Sequence, residues 1–339
     1  MTDALSNLEV RYVRPVEGEL TREHFECVEA EMPAPRPGQI LVRNVYLSLD
    51  PYQRRQMMPG VQYAQPLALG GVMTGRTVGR VLVSHDARFK PGAWVRGAFG
   101  WQAYTAVNAS DAEAIVLDGF SPTAYLGVLG SPGLTAWVGL RAIARALADE
   151  TVVVSAVTGA VGSVVAALAS ASDCRVLGIA GGPDKCAHAV KLLHCDACID
   201  HRSPDFAAQL EAASPRGIDV DFENVGGAVF DQVLTRLNDF ARVALCGLVS
   251  QYNLVEPYGM RNTAALLNKN VLLQGFRVSH YSRYRAPAYA EIKSLLREGK
   301  LRQDESIVQG LRNAPDACIG MLGGRNLGKQ LVQIGPEED

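Results

Sequence analysis

Between Thr151 and Ser172 the chain carries no charged side chain, and Gly159 and Gly162 interrupt the run part-way along. A membrane-crossing helix needs roughly 20 apolar residues, so length alone nearly qualifies this segment. The glycines, the alanines and serines, and the valines crowded at its start argue instead for a buried strand, Thr151 to Ala156, then a tight turn and a buried helix. In that helix Val161, Val164, Val165 and Leu168 fall on one face at i, i+3, i+4 and i+7. A strand this apolar needs neighbours on both edges and helices over both faces, which is the demand of a parallel sheet.

The residues that follow meet that demand. Arg175 to Ala180, Ala197 to Ile199, Ile218 to Glu223, Arg242 to Gly247 and Val271 to Phe276 read as strands, with helices at Lys185 to Leu193, Val229 to Leu237 and Ala286 to Leu296. Strands alternating with helices predict an α/β unit with a doubly wound parallel sheet. The earlier part reads differently. Gln39 to Leu49 alternates as a half-buried strand, and Val78 to Ser84 and Ala93 to Arg96 are short and β-rich. Pro33, Pro35, Pro37, Pro51, Pro59, Pro66 and Pro91 punctuate the region, which predicts an antiparallel, turn-rich β domain. The tail after about Leu301 loses the alternation and ends in a strand-like Gln330 to Ile334 that returns to the first domain. At 339 residues two domains are expected.

Composition removes several functions. A net charge of −2 with no Lys/Arg run disfavours nucleic acid and anionic membranes as partners. Met1 to Val10 has no basic stretch leading into an apolar one, so a secretory signal is not expected. Seven scattered cysteines are an odd number and no disulfide framework, which fits a reducing cytoplasm. His194, Cys195 and Cys198 form the one suggestive metal cluster. No second C-x-x-C or H-x-x-x-H supplies the remaining ligands, so no metal is expected.

The strongest chemical motif is Gly159-Ala160-Val161-Gly162, directly after a strand and opening a helix. Gly159 lets the backbone approach a pyrophosphate, Gly162 lets the helix lie close, and the helix N-terminus favours the anion. A nicotinamide dinucleotide is the expected cofactor. An NAD enzyme ends its second strand with an acid for the ribose 2′-hydroxyl. Here Ala180-Gly181-Gly182-Pro183-Asp184-Lys185 ends the strand without one, and Lys185 follows, which points to the 2′-phosphate of NADP(H).

Longer segments resemble one family. Asn44 to Tyr52 (NVYLSLDPY), Gly130 to Ala136 (GSPGLTA), Gly159 to Ser163 (GAVGS), Phe222 to Gly227 (FENVGG), Cys246 to Asn253 (CGLVSQYN) and Asn326 to Lys329 (NLGK) are similar to the zinc-free medium-chain dehydrogenase/reductase branch. That branch contains leukotriene B4 12-hydroxydehydrogenase/prostaglandin reductase, the alkenal/one oxidoreductases. The resemblance implies a GroES-like β-rich catalytic domain, residues 1–126 and 302–339, with an inserted Rossmann domain, residues 127–301. It also implies a homodimer.

It further implies that Gly159 to Gly162 hold the pyrophosphate and Lys185 the 2′-phosphate. Asn224, Cys246, Gly247, Ser250, Tyr252, Phe276, Arg277, Val278 and Asn326 belong to segments at the ribose and nicotinamide end. Tyr252 matches the tyrosine proposed to act on the substrate carbonyl. Departures stand beside these matches: His201 replaces a second 2′-phosphate contact, a tyrosine, with Arg202 next to it. Trp137 replaces a frequent tyrosine, and Leu254 to Thr263 lacks a proline-rich stretch. Tyr52 and Tyr258 are candidate substrate walls.

Without zinc, another electrophile must stabilise developing oxyanion charge. Reduction of an α,β-unsaturated carbonyl sends hydride to the β-carbon and forms an enolate, which a phenol such as Tyr252 can support. Two alternatives remain at this stage: a quinone reductase, and a nucleotide-binding protein without turnover.

Overall fold

The computed structural model describes residues 6–58 and 66–338, so Pro59 lies outside the described residues. The chain divides into two compact units, Met1–Leu126 with Glu305–Asp339, and Gly127–Asp304.

The first unit opens with β1 (Ser6–Tyr12) and β2 (Phe25–Glu31), an antiparallel pair. β3 (Gln39–Ser48) follows, then α1 (Tyr52–Gln56), β4 (Thr77–Ser84), β5 (Trp94–Gly97), β6 (Tyr104–Asn108) and β7 (Ala112–Ala114). β3 is not the half-buried strand its alternation predicts: only Gln39 and Arg43 are partly exposed. It pairs along one edge with β4 and along the other with β6, and its register shifts twice against β4. Those irregularities break the period of two. Ile40 and Val42 enter one apolar cluster with Phe89 and Phe99, while Leu47 enters another with Trp101 and Phe25.

The second unit begins with α2 (Ser131–Trp137) and continues through β8 (Thr151–Ser155), α3 (Gly162–Ser170), β9 (Arg175–Ala180), α4 (Pro183–Leu192), β10 (Ala197–Asp200), α5 (Phe206–Ala213), β11 (Ile218–Glu223), α6 (Gly227–Arg236), β12 (Leu237–Leu245), α7 (Ala264–Asn268), β13 (Leu272–Gly275) and α8 (Arg285–Arg297). The strands form one parallel sheet in the order β10-β9-β8-β11-β12-β13. The order reverses between β8 and β11, and such a switch point is where open α/β sheets bind their ligands. α3 is buried from Gly162 to Ala169 on every face, which explains the uncharged run better than a single apolar stripe does.

The tail returns to the first unit as β14 (Glu305–Gln309), α9 (Ala314–Leu322) and β15 (Lys329–Gln333), with β15 paired to β3. β14 and β15 are parallel, an exception to the antiparallel expectation that follows from the intervening helix. Residues 302–304 stay with the second unit, where Asp304 accepts from His188 Nε2 at 2.7 Å. Among the described residues no helix is long and apolar enough to cross a membrane.

Candidate active site

At the switch point the turn after β8 leaves no room for a side chain at its helix end. A Cβ on Gly162 would lie 2.4 Å from the Ala156 oxygen and 2.7 Å from Val157 Cα, so this glycine keeps the turn itself closed. Gly159 is milder, its Cβ meeting Ala156 oxygen at 3.2 Å. Ala156 adopts φ 49°, a left-handed conformation that costs of order 1–3 kcal/mol and recurs at ligand-binding turns. Val161 offers α3 no side-chain cap, and within its first turn the Ser163 N–H donates to the Gly159 carbonyl at 3.0 Å. Ala160 and Val161 lie in this same turn.

Across the switch point, the end of β11 is fastened to the end of β8. Asn224 donates its backbone N–H to Ser155 Oγ at 2.7 Å and its Nδ2 to the Ser155 carbonyl at 2.8 Å. Buried Glu223 accepts through Oε1 from Ser155 Oγ at 2.8 Å, from Gly226 N–H at 2.7 Å, and from Val225 N–H. The motif reading passed over Ser155 and Glu223, although Glu223 stands inside FENVGG.

The segment after β12 then folds back on this turn. Cys246 and Gly247 both donate to the Glu223 carbonyl, Val249 to that of Asn224 and Ser250 to that of Val225. Ser250 Oγ donates to the same Val225 carbonyl at 2.6 Å. A Cβ on Gly247 would come within 3.6 Å of the Tyr252 hydroxyl and 3.2 Å of the Asn224 oxygen. The phenol of Tyr252 therefore lies over the bare face of Gly247, beside Asn224 and at the carboxyl end of β12. Burial and the Glu223 carboxyl push the Cys246 thiol up to about 12, so it is neutral at physiological pH.

A second group gathers beyond β9. A Cβ on Gly181 would meet Arg202 Nε at 2.9 Å and His201 Nε2 at 3.0 Å. Lys185 stands in the first turn of α4, its ammonium lowered by burial and then by Arg202. His201 is lowered by burial first and by Arg202 next. Lys185 and His201 thus share one neighbourhood with Arg202, and burial followed by the Arg202 charge disfavours the protonated form of both. Asp200 shares the neighbourhood, but its Oδ1 accepts from Gly182 and Arg202 N–H groups. Turn, uncapped helix end and cation cluster together fit a dinucleotide carrying a 2′-phosphate.

Other candidates have different company. The Phe276 ring lies edge-on to Phe222 at 6.4 Å and to Tyr281 at 6.2 Å; Arg277 is exposed, and Val278 follows, half-buried. Tyr258 donates its hydroxyl to Asp231 at 2.8 Å beneath the Arg261 guanidinium, which anchors a loop to α6. Trp137 donates its indole N–H to Glu291 at 2.6 Å.

In the first unit, Tyr52 opens α1 and Asn326 Nδ2 donates to the Gly328 carbonyl at 2.8 Å. The LSLDPY and NLGK motifs meet there through a buried contact: Lys329 Nζ donates to Asp50 Oδ1 and to the Leu49 carbonyl, each at 2.7 Å. No sequence spacing announces that pair, because 279 positions separate the partners.

Residues 9–115 match the family described as N-terminal domain of oxidoreductase, and residues 160–294 the one described as zinc-binding dehydrogenase. Over 322 residues the chain is 42% identical to the NADPH-dependent curcumin reductase of Escherichia coli (strain K12), covering 93% of each chain. The chain belongs to the zinc-independent alkenal/one reductase family of medium-chain dehydrogenases/reductases. Another relative of this chain is the 2-alkenal reductase (NADP(+)-dependent) of Nicotiana tabacum, 37% identical over 306 residues and 88% of each chain. The crystal structure of CurA in complex with NADPH from Vibrio vulnificus superposes with a TM-score of 0.93 at 42% identity, covering 97% of this chain and 99% of that one. Although one matched description names zinc, among the described residues no group of three or more His, Cys, Asp or Glu is placed to hold a metal ion.

Proposed function

We propose that this chain uses NADPH to reduce the carbon–carbon double bond of α,β-unsaturated ketones and aldehydes, with the Tyr252 hydroxyl supporting the enolate oxygen. The observation that carries the reading is the Tyr252 phenol lying over Gly247 at the carboxyl end of β12, one strand from the switch point. The curcumin and 2-alkenal reductases among its relatives support the substrate class.

In this reading the Gly159–Gly162 turn and the α3 N-terminus bind the pyrophosphate, and Lys185, His201 and Arg202 hold the 2′-phosphate. The bound nicotinamide supplies hydride. Glu223 and Ser155 fix Asn224 and the Cys246–Tyr252 segment, so that the phenol is oriented before substrate arrives. Tyr252 then donates a hydrogen bond to the substrate carbonyl as negative charge develops on its oxygen. Tyr258 serves this site indirectly, since its hydroxyl is committed to Asp231.

Losing one oxyanion donor typically costs about 2.7–4 kcal/mol, and a cofactor ribose hydroxyl shares the work. Tyr252→Phe is therefore expected to lower kcat on an enone by about tenfold or more with NADPH affinity nearly unchanged. Steady-state rates on enones, enals, nitroalkenes and quinones, beside cofactor titrations, test it. A folded variant turning over at the parent rate removes Tyr252 from the mechanism, and faster turnover on quinones than on enones makes the protein a quinone reductase.

The same reading makes the protein a cytoplasmic homodimer, its seven cysteines kept as thiols. β13 ends the parallel sheet with one edge unpaired among the described residues, and Leu272, Leu267 and Phe240 are exposed in the same unit. An open edge with apolar neighbours favours pairing with a second copy. Light scattering should give the mass of two chains, and a monomer at working concentration rejects it.

A further inference from the structure

Two sulfur atoms stand close together in the second unit for no reason the proposed reaction requires. Cys198, on β10, directs its thiol to Cys186 Sγ on α4 at 3.0 Å. Both cysteines are partly accessible, whereas the third thiol of the cluster, Cys195, is buried. Crowding is tight here: a Cβ on Gly178 would meet the sulfurs of both Cys195 and Cys198 at 3.3 Å. A disulfide needs the sulfurs at about 2.05 Å, so about 1 Å of approach between α4 and β10 would close the bond.

We propose that Cys186 and Cys198 form a disulfide under hydroperoxide, and that this bond weakens NADPH binding. The effect on cofactor rests on the assignment of Lys185 and His201 to the 2′-phosphate, while bond formation does not. Cys186 directly follows Lys185, and Cys198 lies two residues before Asp200 and three before His201. The two thiols therefore tether the two halves of the cation cluster, and drawing them together shifts one half against the other.

The chemistry balances as follows. The Cys186 thiolate attacks a peroxide oxygen, the O–O bond breaks, and an alcohol or water leaves, giving a sulfenic acid. The Cys198 sulfur then attacks the sulfenic sulfur and expels water, so two thiols supply the two electrons that reduce the peroxide. Cys186 is the attacking sulfur. Burial raises its thiol, but the S–H donated by Cys198 favours its thiolate, whereas burial pushes Cys198 up and its bond to Cys186 adds to the rise. A thiol raised in this way reacts slowly, so the bond is expected under sustained exposure.

The test treats the full-length protein with tert-butyl hydroperoxide, maps disulfides by non-reducing peptide mass spectrometry, and titrates NADPH and NADH before and after. The expected result is a Cys186–Cys198 cross-link, an NADPH dissociation constant raised by about tenfold, as loss of a charged hydrogen bond would give, and recovery on adding dithiothreitol. NADH affinity should change little. Cys186→Ser and Cys198→Ser should each bind NADPH normally and resist the treatment. A cross-link that leaves NADPH binding unchanged overturns the proposal, as does a Cys195–Cys198 bond or sulfinic acid alone at Cys186. If Lys185→Ala in the reduced protein leaves NADPH affinity intact, the cofactor assignment has failed instead, and the mapped cross-link identifies which of the two is at fault.

Discussion

Replacing Lys185 with alanine is expected to weaken NADPH binding by about tenfold to a hundredfold while leaving NADH binding near its parent value. A hydrogen bond to a charged partner is worth about 1.5–3 kcal/mol, and each 1.4 kcal/mol is about tenfold in affinity. The half-buried setting of Lys185 puts the effect toward the upper end, since desolvation strengthens the contact with an anion. Arg202 is exposed and screened by solvent, so Arg202→Ala should cost less. Parent and variant should converge on NADH, because that cofactor carries no 2′-phosphate. Fluorescence titration of both cofactors measures the ratio directly. Equal affinity of the parent for NADPH and NADH would remove the 2′-phosphate role from this cluster.

That cluster also shows what a sequence can and cannot give away. The absence of an acid after β9 and the presence of Lys185 are local, and both are visible in a few consecutive letters. The approach of His201 and Arg202 to Gly181 depends on β10 pairing with β9, a contact that only the fold makes. The parallel sheet was legible because apolar runs such as β8 and β9 are bounded by turn residues and alternate with helix-period segments. β14 and α9 were not, since α9 carries Pro315 in its first turn and Gly320 near its end, both of which read as breakers. Proline at a helix start is tolerated, as its missing N–H has no helical partner there. A tyrosine in a loop, such as Tyr258, does not announce its hydrogen-bond partner. Asp231, 27 positions earlier on α6, is that partner.

The least legible residue is Asp221, and replacing it is expected to stabilise the protein. Within β11 it alternates with Val220 and Phe222 and reads as one more polar letter in a strand. It is fully buried, paired in register with Val153 of β8 and Val243 of β12, two residues of the apolar cluster beneath α6. Neither of its carboxyl oxygens has a hydrogen-bond partner among the described residues. Burial raises this carboxyl well above its ordinary value, and Glu223 on the same face adds to the rise. Glu223 is raised too, by burial, although the N–H groups of Gly226 and Val225 oppose the shift. A carboxyl with a raised folded value keeps its proton in the fold and loses it on unfolding. Its contribution is therefore most favourable below the unfolded value of about 3.9 and is lost as pH rises toward the folded value. Asp221→Asn removes that titration while keeping the shape, so its advantage over the parent should be small near pH 4 and grow toward pH 8. Asp221→Leu also removes the unsatisfied oxygens, worth about 1–3 kcal/mol, and should raise Tm by several degrees at neutral pH. Thermal melts of the three proteins from pH 4 to 8 decide the matter. A parent that is more stable than both variants at pH 8, or an Asn advantage that does not change with pH, would mean that Asp221 is ionised and has a partner in solution.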